Sequence, residues 1–354
     1  MICFWKSLFV QEFMERKVKK NIVLVSALLL VLSTCGCTNP VNKILDNFKK
    51  PEPELVEIQN SDYSYTYRNS DGDIVFDKIN KLNFVENLAV YDKDGKYGLV
   101  NKAGEIVVEP IYDFIEDFHD GMSAFFIQDI SDYVKVGYFN NKGEVAIEPI
   151  PVAYTLQSCD TYDVNFYNGV ALYRQPKTYK YGFIDKTGNF IIKPIYQWAE
   201  PFKGRLAPVT TGNKFGYIDI TGKLVLPYKY VYADVFSEGL AAVYNGKTWG
   251  YIDETGNYAI SSQFGSYEGH DGEEIANPFI DGYAAVFLGN GQAYRSDIYK
   301  GKFALIDKEG KIVDGKKYDS LWLTFDEAGK ATYEASIGNK YYTLNSKGIV
   351  LKEE

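Results

Sequence analysis

The chain has 354 residues, 46% hydrophobic and 24% charged, which argues against a disordered polyelectrolyte and leaves room for two domains or one repeat array. Its formal charge is −9 and no basic stripe offsets it, which argues against nucleic-acid partners. Aromatic residues reach 16%, with 30 Tyr and 22 Phe, a composition suited to half-buried strands and to contact surfaces.

The first element in chain order is a leader over residues 1–37. From Met14 it reads as a basic segment (Arg16, Lys17, Lys19, Lys20), an apolar run from Ile22 to Leu32, and small residues before a cysteine. That is the layout of a secretory signal peptide. At about 1.5 Å per residue the run is too short to cross a bilayer. Met14 is the expected start, because residues 1–13 add nothing such a leader needs. The end of the run resembles the lipobox of bacterial lipoproteins. Gly36-Cys37 supplies the small residue before the modified cysteine, with Leu32-Ser33-Thr34-Cys35 as the alternative. The resemblance implies diacylation of Cys37 (alternatively Cys35), and two acyl chains give stable membrane attachment. Only Cys159 remains beyond the leader, so no internal disulfide is expected. Residues 38–57, with Pro40, Pro51 and Pro53, read as a tether.

Residues 58–354 repeat themselves. Tyr181-Gly-Phe-Ile-Asp-Lys-Thr-Gly188, Phe215-Gly-Tyr-Ile-Asp-Ile-Thr-Gly222 and Trp249-Gly-Tyr-Ile-Asp-Glu-Thr-Gly256 are close copies. Looser copies run from Tyr97 to Gly104, Val136 to Gly143 and Phe303 to Gly310, and worn copies end at Gly72 and Gly348. About eight hairpins at a period of about 34 residues, with insertions, result. Alternation marks a strand on each side of the turn, the Asp carboxylate caps turn amides, and the Gly takes a positive φ. Proline at 110, 149, 194 and 227 is expected to end the second strand. An interleaved motif, Phe-x-x-x-[Leu/Met/Val/Tyr]-[Ala/Ser], begins a third strand at Phe84, Phe118, Phe166, Phe202, Phe236 and Phe279. Ile111 to Ile115 is a candidate short fourth strand. The expected fold is all-β: a tandem array of antiparallel β-meander repeats, open and solenoid-like or propeller-like.

The Trp249-Gly250 and Lys-x-Gly dipeptides, the Asp-x-x-Gly turn and the Gly239-Leu-Ala241 strand resemble the WG-repeat family of bacteria over about residues 60–350. Members of that family are frequently exported or lipid-anchored, so the resemblance implies a fold and a compartment more than a chemistry.

Catalytic signals are sparse. His119 and His270 are the two histidines, and neither has partners at the spacing of a Ser-His-Asp or Cys-His site. No nucleophile elbow, zinc helix or phosphate loop appears. Glu268-Gly-His-Asp-Gly-Glu-Glu274 and Asp92-x-Asp94-Gly95 hint at calcium ligands, but neither matches a calcium loop, and the second falls in a hairpin turn. No metal, cofactor or catalytic residue is expected. The expectation is a lipid-anchored protein on the outer face of the cell membrane that binds or scaffolds a protein or cell-wall glycan. Insertions at 151–165 and around 263–277 and 289–300 are candidate ligand loops. An envelope-polymer hydrolase and a purely structural spacer are the alternatives.

Overall fold

The computed structural model describes residues 54–128, 134–153, 163–265, 276–289, 301–313, 315–326 and 329–353. Cys35, Cys37, Cys159, His270, the Glu268–Glu274 segment and most of the three insertions lie outside these residues. The first strand, Val56–Gln59, starts inside the expected tether.

The hairpin turn is the local unit. At all eight turns the side-chain oxygen of the first residue accepts the amides two and four positions on, as Asp219 does from Thr221 at 3.0 Å and Lys223 at 3.1 Å. The closing glycines, from Gly72 to Gly348, have φ between +76° and +88°. The short side chain satisfies amides that the tight turn would leave unpaired, and glycine adopts the left-handed backbone without a Cβ clash. A ninth turn of this kind, Asp326 to Gly329, lies in the last sheet.

Strands flanking these turns assemble into antiparallel sheets, here called blades and numbered in chain order, and among the described residues there are eight. The third to sixth blades have four strands each in chain order. In the fifth these are Trp198–Ala199, Ala207–Thr210, Phe215–Ile218 and Leu224–Tyr230. The architecture is therefore all-β and propeller-like, as expected. Two details differ from the sequence reading. The candidate fourth strand is the two-residue first strand of the next blade, Phe114–Ile115 in the third. The prolines do not end their strands: Ile106–Tyr112, Val145–Val152, Phe190–Tyr196 and Leu224–Tyr230 all run through them. Each is the outer edge strand of its blade, where a missing amide costs no ladder bond.

The proline also sits in a bulge. Tyr217 pairs with Leu226 while Phe215 pairs with Tyr230, so the outer strand carries extra residues opposite Gly216. A Cβ on Gly216 would lie 2.6 Å from the Leu226 carbonyl oxygen, and one on Gly182 would lie 2.5 Å from that of Ile192. The glycine of the aromatic-Gly dipeptide is thus required by the bulge beside it. Ala304 replaces it in the seventh blade, where the sheet has two strands, Tyr283–Gly289 and Gly301–Asp307, and no bulged third.

The core lies between blades. Seven buried clusters each join one blade to the next along the chain, and among the described residues none joins the eighth to the first. Turn glycines seat against the preceding outer strand, Gly222 on Ile192, Gly256 on Leu226 and Gly310 on Ile260, whereas Gly72 of the first blade has nothing within 4 Å. At the far end, the face of the eighth blade carrying Trp322 and Tyr341 bears a hydroxyl ladder, Ser320 with Ser336 at 2.6 Å and Thr324 with Thr332 at 2.8 Å.

Gly216→Ala is expected to destabilise the chain by about 1–3 kcal/mol in urea denaturation followed by circular dichroism, because the methyl meets backbone that cannot yield. Gly212→Ala, with open space at its Cβ, is expected to shift stability by less than about 0.5 kcal/mol.

Candidate functional site

The two sequence motifs meet at the blade seams. The aromatic after each conserved glycine packs against the Phe of the interleaved motif in the next blade. Tyr138 with Phe166 and Phe183 with Phe202 are both 4.8 Å between centroids, Tyr217 with Phe236 is 5.0 Å, and Tyr251 with Phe279 is 4.8 Å. Where that aromatic is Tyr, its hydroxyl donates to the backbone carbonyl two residues before the Phe: Val164, Asp234 and Asn277, each at 2.8 Å. Edge-on aromatic pairs contribute about 0.5–1.5 kcal/mol beyond burial, and such a hydrogen bond adds about 0.5–1.5 kcal/mol.

That seam fixes one position in space, two residues before the Phe. Glu116, Glu200, Asp234 and Asn277 occupy it in the third, fifth, sixth and seventh blades. Their amides all donate to the second strand, to Ala124, Pro208, Ala242 and Ala285. In the fourth blade Val164 takes the position and Asp163 precedes it. The result is a line of carboxylates at the first-strand edges of four consecutive blades: Glu116, Asp163, Glu200 and Asp234.

Glu116, Asp163, Glu200 and Asp234 are each partly exposed. Burial, with Asp163 and Asp117 nearby, raises the Glu116 carboxyl above its ordinary range. Burial raises Glu200 despite the Trp198 indole N–H that donates to it at 2.5 Å, and Asp234 and Asp163 add to the effect. Asp234 is pushed up to about 6 by burial, against the amide of Val235 at 2.7 Å and the ammonium of Lys203. Lys203 lies 3.3 Å from Asp163 and 5.5 Å from the centroid of the Tyr167 ring, whose hydroxyl donates to Asp163 at 2.7 Å.

The residues singled out in the sequence fall partly here. His119 is in a turn, its amide on the Met122 carbonyl at 2.8 Å and its ring 5.7 Å from Tyr167, at one end of the line. Asp92 and Asp94 belong to the Lys93–Lys96 hairpin, as the repeat register requires. Among the described residues no group of three His, Cys, Asp or Glu converges in the way a metal ion needs. No helix among them is long and apolar enough to cross a membrane. The carboxylate line itself was not expected from the sequence. Its signal was present: aligned on the Phe, the copies carry an acid or amide at an otherwise apolar strand end.

Comparison with known proteins agrees with this repeat geometry. Residues 97–129, 181–215, 215–249 and 249–291 match the family model described as WG containing repeat, so the chain carries WG repeats. No curated protein matches the sequence. Among solved structures, apo AztD from Citrobacter koseri is similar at 12% identity, covering 85% of this chain and 94% of that one, with a TM-score of 0.38. Protein lmo1340 from Listeria monocytogenes EGD-e is similar at 11% identity, covering 78% and 93%, with a TM-score of 0.43. Hsv2p of Kluyveromyces lactis is similar at 9% identity, covering 86% and 95%, with a TM-score of 0.36. Likenesses this distant say nothing about a ligand.

A carboxyl raised by burial costs stability once it ionises. Asp234 binds its proton more tightly folded than unfolded, so stability is lost as pH rises from about 4 through about 6. Asp234→Asn is expected to raise the Tm at pH 7.5, to leave it little changed at pH 3.5, and to flatten the dependence between. A variant less stable than wild type at pH 7.5 would contradict this placement of the carboxylate.

Proposed function

We propose that this chain is an exported, lipid-anchored binding protein with no catalytic role of its own. Its WG-repeat array presents the Glu116–Asp234 line to a ligand at the cell surface. The observation that carries the reading is the carboxylate line. Equivalent positions of the third, fifth and sixth blades hold acids whose burial costs stability, and such a cost is characteristic of residues kept for a binding role. The leader, the Cys37 lipobox (alternatively Cys35) and the tether support display on the outer face of the membrane, with acyl chains as the anchor. A purely structural spacer has no use for ionised groups held partly out of water. An envelope-polymer hydrolase is the second reading, because a raised carboxyl can donate a proton to a leaving group. Steady release of reducing ends from purified cell-wall glycan, lost in Glu116→Gln, would favour it over binding.

Anchoring is tested by fractionating cells that express wild type or Cys37→Ala. Wild type is expected in the membrane fraction, shifting to an unprocessed precursor when lipoprotein processing is inhibited, and the mutant is expected in the medium. Equal release of both, with Cys35→Ala also without effect, would overturn the anchored reading.

A further inference from the structure

An internal seam has two sides, and each end of the array presents one of them uncovered. At the seam between the fourth and fifth blades, Leu172, Phe183 and Ile192 lie abreast across the fourth. Their face, here called the front, is buried against the back of the fifth blade, on Ala207, Val209 and Ile218. One seam on, Tyr217 and Leu226 meet Ala241, Val243 and Ile252 in the same way. The back of the first blade and the front of the eighth are the two faces that no buried cluster covers among the described residues.

Both faces keep the seam register but change its chemistry. In the eighth blade Glu334, Thr343 and Lys352 lie abreast in the three front positions, and the Thr343 hydroxyl donates to Glu334 at 3.0 Å. In the first blade Arg68 stands just before the turn residue Asn69, as Ile218 stands before Asp219, and Val56 pairs with Arg68 as Ala207 pairs with Ile218. A guanidinium thus occupies a core position of the back face, held over its own turn by a bond of 2.6 Å to the Gly72 carbonyl.

The charges on the two faces are complementary. Ile218 shares its cluster with Leu172, so a seam built from the end faces sets Arg68 against Glu334. Gly222 seats on Ile192, so the same seam sets Gly72, which has nothing within 4 Å, on the stem of Lys352. Asp71 and Asp73 flank Gly72 and would bring carboxylates to the Lys352 ammonium. Apolar surface accompanies both pairs. Val56 and Ile74 are 54% and 51% exposed at the first blade, and Tyr341 is 60% exposed at the eighth. A face kept only as a soluble cap needs no such match with the opposite end of its own chain.

We propose that copies of this chain assemble head to tail, the back of the first blade docking on the front of a second copy's eighth blade. The contact continues the internal seam, with Arg68 on Glu334 and the Asn69–Gly72 turn on Lys352. The two faces differ, so the contact is heterologous and each added copy leaves one face of each kind free. This goes beyond the binding role of the carboxylate line and does not depend on it.

The test is sedimentation velocity of the full chain in detergent over a concentration series. Wild type is expected to self-associate, about tenfold or more weakly in Arg68→Glu and in Glu334→Arg, where like charges face each other. The double variant, with both charges exchanged, is expected to regain association. Asp94→Asn, in a hairpin of the second blade, and Cys37→Ala, which removes the proposed acyl anchor, are expected to associate like wild type. Circular dichroism checks that each variant is folded. Carbodiimide coupling of mixed 14N- and 15N-labelled copies, read by mass spectrometry, is expected to join Lys352 of one isotope to Asp71 or Asp73 of the other. A chain monomeric at every concentration, association untouched by either charge reversal, or no recovery in the double variant would overturn the proposal. Association lost in Cys37→Ala would also overturn it, because the lipid would then be what holds copies together. So would coupling confined to single-isotope products, which would mean that the array closes on itself.

Discussion

The contact on which this fold depends is the ring pair across the four seams from the third to the seventh blade, the aromatic after the conserved glycine against the Phe that begins the next blade. A three- or four-stranded sheet cannot bury both its faces alone, so each blade gains its core only from its neighbours. The ring pair sets how close neighbours lie, and the tyrosine hydroxyl, by reaching the backbone two residues before the Phe, sets their register. The glycine beside the ring accommodates the bulged outer strand, and the proline in that bulge leaves no amide unpaired in the ladder. Three recurring sequence features thus serve one geometric unit.

A second layer of seam contacts is polar. Asp120 accepts the Gly169 amide at 2.7 Å and pairs with Lys186 at 3.1 Å, and three seams further on Glu238 accepts the Gly282 amide at 3.0 Å and pairs with Lys308 at 3.0 Å. At the seam between the fifth and sixth blades Arg205 and Glu254 pair with the charges reversed, at 2.9 Å. Exposed pairs like these contribute little energy each. Their recurrence at successive seams fixes orientation more than strength, and Asp163 adds a further cross-blade pair with Lys203 at 3.3 Å.

Much of the fold was legible in the sequence because its determinants are local. An Asp or Asn followed three residues later by Gly makes its turn from its own atoms, so all eight expected turns are present. What the sequence reading missed depends on position in a sheet. Pro110, Pro194 and Pro227 looked like strand ends because proline cannot donate, and only the assembled blade shows them on an outer edge where donation is not needed. The two-residue first strands, such as Tyr232–Ala233, are too short for any periodicity. Glu116, Glu200 and Asp234 lie far apart in the chain and become neighbours only through stacking. The Asp163 member is offset by one residue, which further hides the line. The proposal that Cys37 is lipid-modified, by contrast, rests wholly on the leader's sequence pattern.

The central claim is that stacking of the repeats partly removes separated acids from water and raises the proton affinity of Glu116, Glu200 and Asp234. The most direct measurement is a carboxyl-carbon NMR titration of Asp234 in the folded chain, assigned by its loss in Asp234→Asn. The account predicts a midpoint near 6, raised by burial against the opposing ammonium of Lys203, that rises further in Lys203→Met. A midpoint at the ordinary aspartate value of about 3.9, unmoved by Lys203→Met, would contradict it.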